Sequence, residues 1–303
     1  PIDILPNISP VIIPMTALER PQAFYSGYST KDVPLHAMVV SDPHFGFDKD
    51  TNTHKLKPYH NEKAIKIAFD IFCDNPFDYL IWGGDILDCN EWSTHWIKRP
   101  EFRQTTQPAI NCAAKWLASF VAAKPEARHV VLKGNHDERI EDYIISNLDE
   151  IYNLIPGDSP ESEPLMSMSN LLGFKRIGIE YKDVFNIGST RFIHGDIARS
   201  GGGATARAHI ANTISNIVFA HVHRRELVTE TKIGYNSEKV ETFSMCPGCV
   251  CYIDGRVPGS EEDDNWQNGI GTLTFLNGKC ISHQIIKIED DLAEYNGKIY
   301  RAS

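Results

Sequence analysis

Five short polar clusters carry the side chains in this sequence that could hold metal ions. Each follows an apolar run, and together they offer carboxylates, imidazoles and an amide oxygen but no thiolate. In chain order the clusters are Asp42-Pro43-His44, Gly84-Asp85 with Asp88 beyond it, Gly134-Asn135-His136-Asp137, His194-Gly195-Asp196 and His221-Val222-His223. Such nitrogen and oxygen donors suit Mn²⁺, Fe, Zn²⁺ or Mg²⁺ in a reactive centre rather than a structural zinc cage.

Each cluster taken singly also has a structural explanation. A lone aspartate or histidine is more often a loop residue with a satisfied hydrogen bond. Asn135 and Asp137 also suit the N-cap of a helix. His221 and His223 stand two apart at the predicted end of a strand, where alternate residues share one face. Because these explanations would have to coincide five times in chain order, we favour a single metal centre.

The clusters can act together only if the preceding runs end at one edge of a sheet. Strands are predicted at His36–Ser41, Tyr79–Trp82 and His129–Leu132, and helices at about Asn61–Phe72 and Thr106–Ala123, where apolar residues recur every three or four positions. This alternation predicts parallel strands joined by crossover helices. The loops beyond the carboxyl ends of such strands line the ligand crevice.

The second half of the chain is predicted to form a largely antiparallel sheet that packs against the first. Helices are expected near Asp137–Ser146 and Leu165–Leu172. The expected strands are Arg176–Glu180, Val184–Ile187, Thr190–Ile193, Ile217–Ala220, Leu227–Ile233, Val240–Phe243, Gly271–Phe275 and Ile281–Ile288.

The ordered series of motifs resembles the calcineurin-like metallophosphoesterase superfamily. The Cys246–Cys251 stretch and Trp266–Gly269 also look like the C-terminal part of its phage and bacterial members. The series reads Asp-x-His, Gly-Asp-x-x-Asp, Gly-Asn-His-Asp, a histidine before glycine, and His-x-His. The resemblance implies an α/β fold with a two-sheet β-sandwich core, mixed parallel and antiparallel strands, and flanking helices. It divides the chain into an N-terminal extension (1–34), a metallophosphoesterase domain (35–290) and a C-terminal tail (291–303).

The resemblance also implies two divalent cations, with Mn²⁺ first and Fe, Zn²⁺, Ni²⁺ or Mg²⁺ as alternatives. The implied ligands of one ion are Asp42, His44 and His223, those of the other are Asn135, His194 and His221, and Asp85 bridges the two. In such centres a shared water is deprotonated near neutral pH. The resulting bridging hydroxide would be the nucleophile that attacks phosphorus.

Five further residues are expected beside the ions. By resemblance, His136 is the non-ligand histidine that steadies the transition state or protonates the leaving group, and Asp137 orients it. Asp88 is expected to accept a hydrogen bond from a ligand histidine. Arg139 and Arg224 stand next to the motifs and could clamp phosphate oxygens. Ion pairs with acidic residues are the alternative for both arginines.

Three functions remain open at this point. The first is a phosphodiesterase, including a nuclease acting on DNA or RNA, with Trp92, His95 and Trp96 stacking on bases; packing in a hydrophobic loop is the alternative for these three. The net charge of −10 opposes broad nucleic-acid binding. The second is a phosphomonoesterase acting on nucleotides or phosphoproteins, although Cys89 and Asp137 depart from the serine/threonine phosphatase pattern. The third is a catalytically silent scaffold.

The composition of the chain indicates the cellular location expected for the protein. No stretch of the 303 residues approaches the roughly 18 to 20 apolar residues that a membrane span needs, and no signal peptide is recognisable. The odd number of cysteines, seven, favours reduced thiols and a cytoplasmic protein without membrane contact. The oligomeric state stays open, with a homodimer among the alternatives.

Overall fold

The strands of the protein form two main sheets and two hairpins. The structure, a computed structural model, describes residues 33–94, 99–157, 163–234 and 237–302. Most of the predicted N-terminal extension, together with His95 and Trp96, therefore lies outside the described residues.

Fifteen strands are present in the described residues. In chain order they are β1 (Leu35–Val40), β2 (Phe47–Lys49), β3 (Leu56–Pro58), β4 (Tyr79–Trp82), β5 (Arg128–Leu132), β6 (Ile179–Lys182), β7 (Val184–Ile187), β8 (Thr190–Ile193), β9 (Asn216–Val218), β10 (Arg225–Ile233), β11 (Lys239–Pro247), β12 (Gly269–Leu276), β13 (Lys279–Lys287), β14 (Leu292–Tyr295) and β15 (Lys298–Arg301). The α-helices there are α1 (Glu62–Asp74), α2 (Thr106–Ala123), α3 (Arg139–Asn147), α4 (Met168–Leu171), α5 (Phe174–Ile177) and α6 (Ala204–Ile210).

The first sheet has the strand order β13-β12-β1-β4-β5-β6. Strands β1, β4, β5 and β6 run parallel, and α1 and α2 lie in the first two of their three crossovers, as the alternation of apolar runs predicts. Helix α1 begins at the N-cap Asn61, whose side-chain oxygen accepts the N–H groups of Lys63 and Ala64 at 3.2 Å each. The prediction that all later strands join the second sheet is wrong, because β12 pairs antiparallel with β1 and brings β13 with it.

The second sheet has the order β10-β11-β9-β8-β7 and is mixed. Its outer pairs are antiparallel, whereas β8 and β11 both pair with β9 in parallel. The prediction of a largely antiparallel sheet is therefore wrong. The strand predicted at Arg176–Glu180 is also displaced: α5 ends at Gly178, whose φ of 75° suits a glycine helix cap, and β6 follows it.

The inner strands β1, β4 and β5 of the first sheet are largely buried on both faces. In β1, Ala37 and Val39 pack between the two sheets, while Met38 and Val40 pack under the helices. Alternate residues of a strand point to opposite faces, so a continuous apolar run fills two cores at once. The sheet-to-sheet packing and the flanking helices confirm the predicted fold class.

Residues 291–303 were predicted to form a tail and contain the hairpin β14–β15. Ala293 and Tyr300 of this hairpin, and Ala302 directly after it, are buried in the core beneath the helices. The Tyr300 hydroxyl accepts a hydrogen bond from Asn75 at the end of α1, at 3.1 Å. The hairpin thus covers one end of the helical layer. The predicted division of the chain at residues 34 and 290 stays a prediction.

Among the described residues, no helix is both long and apolar enough to cross a membrane. All seven cysteines lie in the described ranges, and each is a free thiol.

Replacing Tyr300 should show that the hairpin contributes to the stability of the whole fold. Tyr300→Ala removes a buried ring and should lower the free energy of unfolding by on the order of 3 kcal/mol. Ile299, its neighbour on the opposite face, is 61% exposed, so Ile299→Ala should change it by less than about 0.5 kcal/mol. Urea unfolding of both variants measures the difference, and equal effects would contradict the packing.

Candidate active site

The five polar clusters lie in loops that follow β1, β4, β5, β8 and β9. Strands β1, β4 and β5 are parallel neighbours in the first sheet, and β8 and β9 are parallel neighbours in the second. Each sheet therefore delivers its loops to one edge, and the two edges meet. This arrangement brings all the predicted ligand residues into one site.

The backbone of this site is unusual, because five of the predicted ligands adopt left-handed φ angles. The values are 49° for Asp42, 45° for His44, 50° for Asp85, 73° for His221 and 56° for His223. Each such non-glycine residue costs about 1–2 kcal/mol. His221 and His223 lie in a turn beyond β9, which ends at Val218, so the alternation of a strand does not explain their placement.

The first group of donors consists of Asp42, His44, Asp85 and His223. One donor atom from each lies within 4.8 Å of the others, and all four residues are buried. The Nε2 atom of His44 is 3.0 Å from Nε2 of His223. The Nε2 atom of His223 is 3.5 Å from Asp42 Oδ1. Carboxylates and facing imidazole nitrogens at such separations fit a divalent cation.

The second group consists of Asp85, His194 and His221, and one donor atom from each lies within 4.8 Å of the others. Asn135 adds its amide oxygen, which is 3.0 Å from both His194 Nε2 and His221 Nδ1. Asp85 Oδ2 lies 3.4 Å from His194 Nε2 and 3.7 Å from His44 Nε2. Asp85 therefore belongs to both groups, which is the position expected of a bridging ligand.

Hydrogen bonds behind the donors fix the orientation of the rings. The Nδ1 atom of His44 contacts Asp88 Oδ1 at 3.2 Å, as predicted for Asp88. The Nδ1–H group of His194 donates to the carbonyl of Gly83 at 2.8 Å. Both contacts leave Nε2 facing the centre, which is how outer partners commonly orient metal-binding histidines. The carboxylate of Asp42 accepts the backbone N–H of His221 at 3.2 Å and so joins the first loop to the last.

His136 is brought to the rim of the site, but its carboxylate partner differs from the prediction. Its Nδ1 atom lies 3.2 Å from Oδ1 of Asp88, which therefore contacts two histidines. Asp137 instead accepts the backbone N–H groups of Leu87 and Gly134 at 3.1 Å each. The turn curls back on itself, and the buried carboxylate satisfies amides that would otherwise have no partner. Asp88, and not Asp137, is therefore the carboxylate that contacts the His136 ring.

The two arginines predicted to bind substrate both contact protein groups. Arg139 donates to the carbonyl of Asp88 at 2.8 Å and to Nε2 of His136 at 2.9 Å. Arg224 donates to the buried Glu226 at 2.9 Å and to the carbonyl of Arg199 at 2.7 Å. For Arg224 the structure therefore shows the ion pair that was its alternative.

The aromatic loop after β4 is described only in part. The ring of Trp92 packs against Tyr143 at 5.4 Å between centroids, and its Nε1–H group donates to Thr106 at 2.9 Å. Packing, the alternative to base stacking, is therefore what the structure shows for Trp92.

Burial lowers the pKa of a histidine, whereas a neighbouring carboxylate raises it, and both effects are present in this site. Burial, reinforced by the nearby His136, lowers the pKa of His44 to about 4. Burial also opposes the charged form of His194, but the Asp85 carboxylate outweighs it and raises the pKa of His194 to about 10. Before any ion binds, one ligand ring is neutral at pH 7 and the other carries a proton.

Two features of the site were not predicted from the sequence. A Cβ at Gly134 would overlap the backbone nitrogen and Oδ1 of Asp85, so the third motif needs glycine for close approach. A glycine directly before a predicted ligand was the available signal. Trp266 also packs edge-on against His223, with 4.0 Å between the ring centroids. This contact joins residues far apart in the chain, and no local pattern indicates it.

The fold and the converging donors define the active centre of a metal-dependent hydrolase. A model of the calcineurin-like phosphoesterase family matches residues 35–231, and the chain belongs to this family. The protein is therefore a metal-dependent phosphoesterase.

The sequence identity between this chain and individual solved structures is low. Pseudomonas putida nuclease MPE is 12% identical, with a TM-score of 0.33, covering 80% of this chain and 86% of that one. The TT1561 protein of Thermus thermophilus is 8% identical, with a TM-score of 0.30, covering 83% of this chain and 99% of that one. Among curated proteins none matches.

Metal affinity should rise with pH between about 7 and 10. An ion needs neutral imidazole, so His194 must release its proton, whereas His44 is already neutral. Each released proton makes the affinity rise about tenfold per pH unit. Calorimetry of Mn²⁺ binding at pH 7, in two buffers of different ionisation enthalpy, counts the protons. Binding without proton release would contradict the charge state of His194.

Proposed function

We propose that this protein is a phosphodiesterase that works with two Mn²⁺ ions, and that a nucleic-acid strand is its substrate class. Asp42, His44 and His223 would hold one ion, Asn135, His194 and His221 the other, and Asp85 both. When bound, two such ions lower the pKa of a water molecule and neutralise charge on phosphoryl oxygens. The nitrogen and oxygen donor set is compatible with Mn²⁺.

The observation that favours a diester over a monoester is that the arginines beside the motifs already donate hydrogen bonds to protein groups. A monoester dianion brings three non-bridging oxygens, and two cations leave one of them in need of a further positive donor. Arg139 and Arg224, the two arginines predicted to bind phosphate oxygens, both donate to protein acceptors. A diester has two non-bridging oxygens and one negative charge, which two cations can match.

His136 is placed to act on the leaving oxygen. Its side chain is 14% exposed at the rim, and its Nε2 atom lies 4.0 Å from Asp85 Oδ2. A proton on Nδ1 would be donated to Asp88, which holds the ring in place. Its Nε2 atom accepts a hydrogen bond from Arg139. To protonate a leaving group, Nε2 must first gain a proton and give up this contact, so Arg139 regulates when His136 can act as an acid.

A cleft beside the last two motifs supports a polyanionic substrate. It has a volume of about 860 Å³, and its lining includes Arg199, Arg207 and Arg225 together with one carboxylate, Glu226, which is paired with Arg224. Arg225 stands two residues after His223, and among the described residues its buried Nε atom has no hydrogen-bond partner. Local positive charge of this kind can contact phosphates even when the net charge is −10.

The first experiment compares a chromogenic phosphodiester with its monoester counterpart. Metal-free protein is reconstituted with Mn²⁺, and a chelated sample serves as the control. We expect metal-dependent turnover that favours the diester, followed by cleavage of single- or double-stranded oligonucleotides. A preference for the monoester would replace the proposal with phosphatase activity on nucleotides or phosphoproteins. Stoichiometric Mn²⁺ binding without turnover of diester, monoester or oligonucleotide would favour a scaffold.

The roles of Asp85 and His136 can be separated by two substitutions. Asp85→Asn removes the charge shared by both donor groups and should lose metal and activity together. His136→Ala should keep its metal content but lose activity by about 10²- to 10⁴-fold. Metal analysis and kinetics on the same preparations distinguish the two outcomes. Full activity in either variant would refute the assigned role.

A further inference from the structure

We propose that His60, Glu62 and Cys112 form a third cation site, separate from the active centre and suited to Zn²⁺. One donor atom from each residue lies within 4.8 Å of the others. Imidazole, carboxylate and thiolate together select Zn²⁺ over the harder Mn²⁺ or Mg²⁺. The seven predicted ligands of the active centre include none of these three residues and no thiolate.

The distances between donor atoms agree with a tetrahedral ion. His60 Nε2 lies 3.3 Å from Cys112 Sγ and 3.9 Å from Glu62 Oε1. Usual zinc bond lengths place tetrahedral nitrogen, oxygen and sulfur ligands about 3.4–3.6 Å apart, so small side-chain shifts suffice. The thiol proton leaves to solvent when the ion binds. A water molecule would complete the coordination, because the Glu62 side chain is 65% exposed and keeps the site open.

The histidine of this site is held rigidly. His60 is fully buried, and its ring packs against Phe45 at 4.9 Å and Phe47 at 5.2 Å between centroids. This packing fixes the direction of Nε2 towards Cys112. A pre-oriented ring loses little conformational freedom on binding, which favours the ion over a set of mobile surface side chains.

The site would fasten three parts of the fold together. His60 immediately precedes the N-cap of α1, Glu62 is the first residue of α1, and Cys112 lies in α2. The aromatic partners of His60 belong to the segment that follows the predicted ligand His44. A cation here would join both crossover helices to the loop of the first motif and stabilise that loop without contacting substrate.

Cobalt provides a spectroscopic test. Metal-free full-length protein is titrated with Co²⁺, and a sulfur-to-cobalt charge-transfer band reports thiolate ligation. We expect the band in the wild type, and its loss with one fewer Co²⁺ per chain in Cys112→Ser, which should keep its phosphodiesterase activity. Cys73→Ser changes an exposed thiol of α1 and should keep the band. Absence of the band in the wild type, or its survival in Cys112→Ser, would overturn the proposal.

The test is independent of the proposed catalytic function. Asp85→Asn should lose the ions of the active centre and keep the charge-transfer band, because the two sites share no ligand. Zn²⁺ should also raise the midpoint of thermal unfolding of Asp85→Asn, and it should not do so once Cys112→Ser is added. Loss of the band in Asp85→Asn alone would place the thiolate at the active centre and refute a separate site.

Discussion

Burial of three carboxylates in one small volume is the constraint on which the rest of this structure depends. Asp42, Asp85 and Asp88 are each at most 1% exposed, and isolated buried charges cost several kcal/mol unless positive groups compensate. The surrounding histidines supply part of that compensation, as the raised pKa of His194 shows. Divalent cations supply the rest, so metal binding and stability of the centre are coupled.

The backbone around these carboxylates adopts strained conformations that allow them to be buried together. Ligands from several loops can converge only if the chain turns sharply after each strand, and the left-handed φ angles provide these turns. Close approach of the loops requires glycine where Gly134 meets Asp85. The hydrogen bonds from Leu87 and Gly134 to Asp137 then tie the second loop to the third. Geometry at the centre is therefore a property of the loops as a set, and no single motif determines it.

The motifs can be recognised in the sequence, because each is local and stands after an apolar run. Contacts between different motifs are harder to predict from the sequence. Asp88 and Asp137 are both acidic and near His136, and only the path of the turn decides which of them contacts it. The ion pair of Arg224 likewise depends on Glu226 facing inward, although Glu226 is only two residues away. The position of β12 depends on pairing across the whole domain, which apolar periodicity does not report.

That long-range pairing has a consequence for how the chain reaches its final state. His36 in β1 and Thr274 in β12 touch across a separation of 238 positions. During synthesis β1 emerges early and can pair with β4, but its other edge stays open until nearly the whole domain has left the ribosome. Open strand edges recruit other chains, and late closure of distant contacts is slow. Until β12 is available, this edge of β1 is therefore open to pairing with other chains.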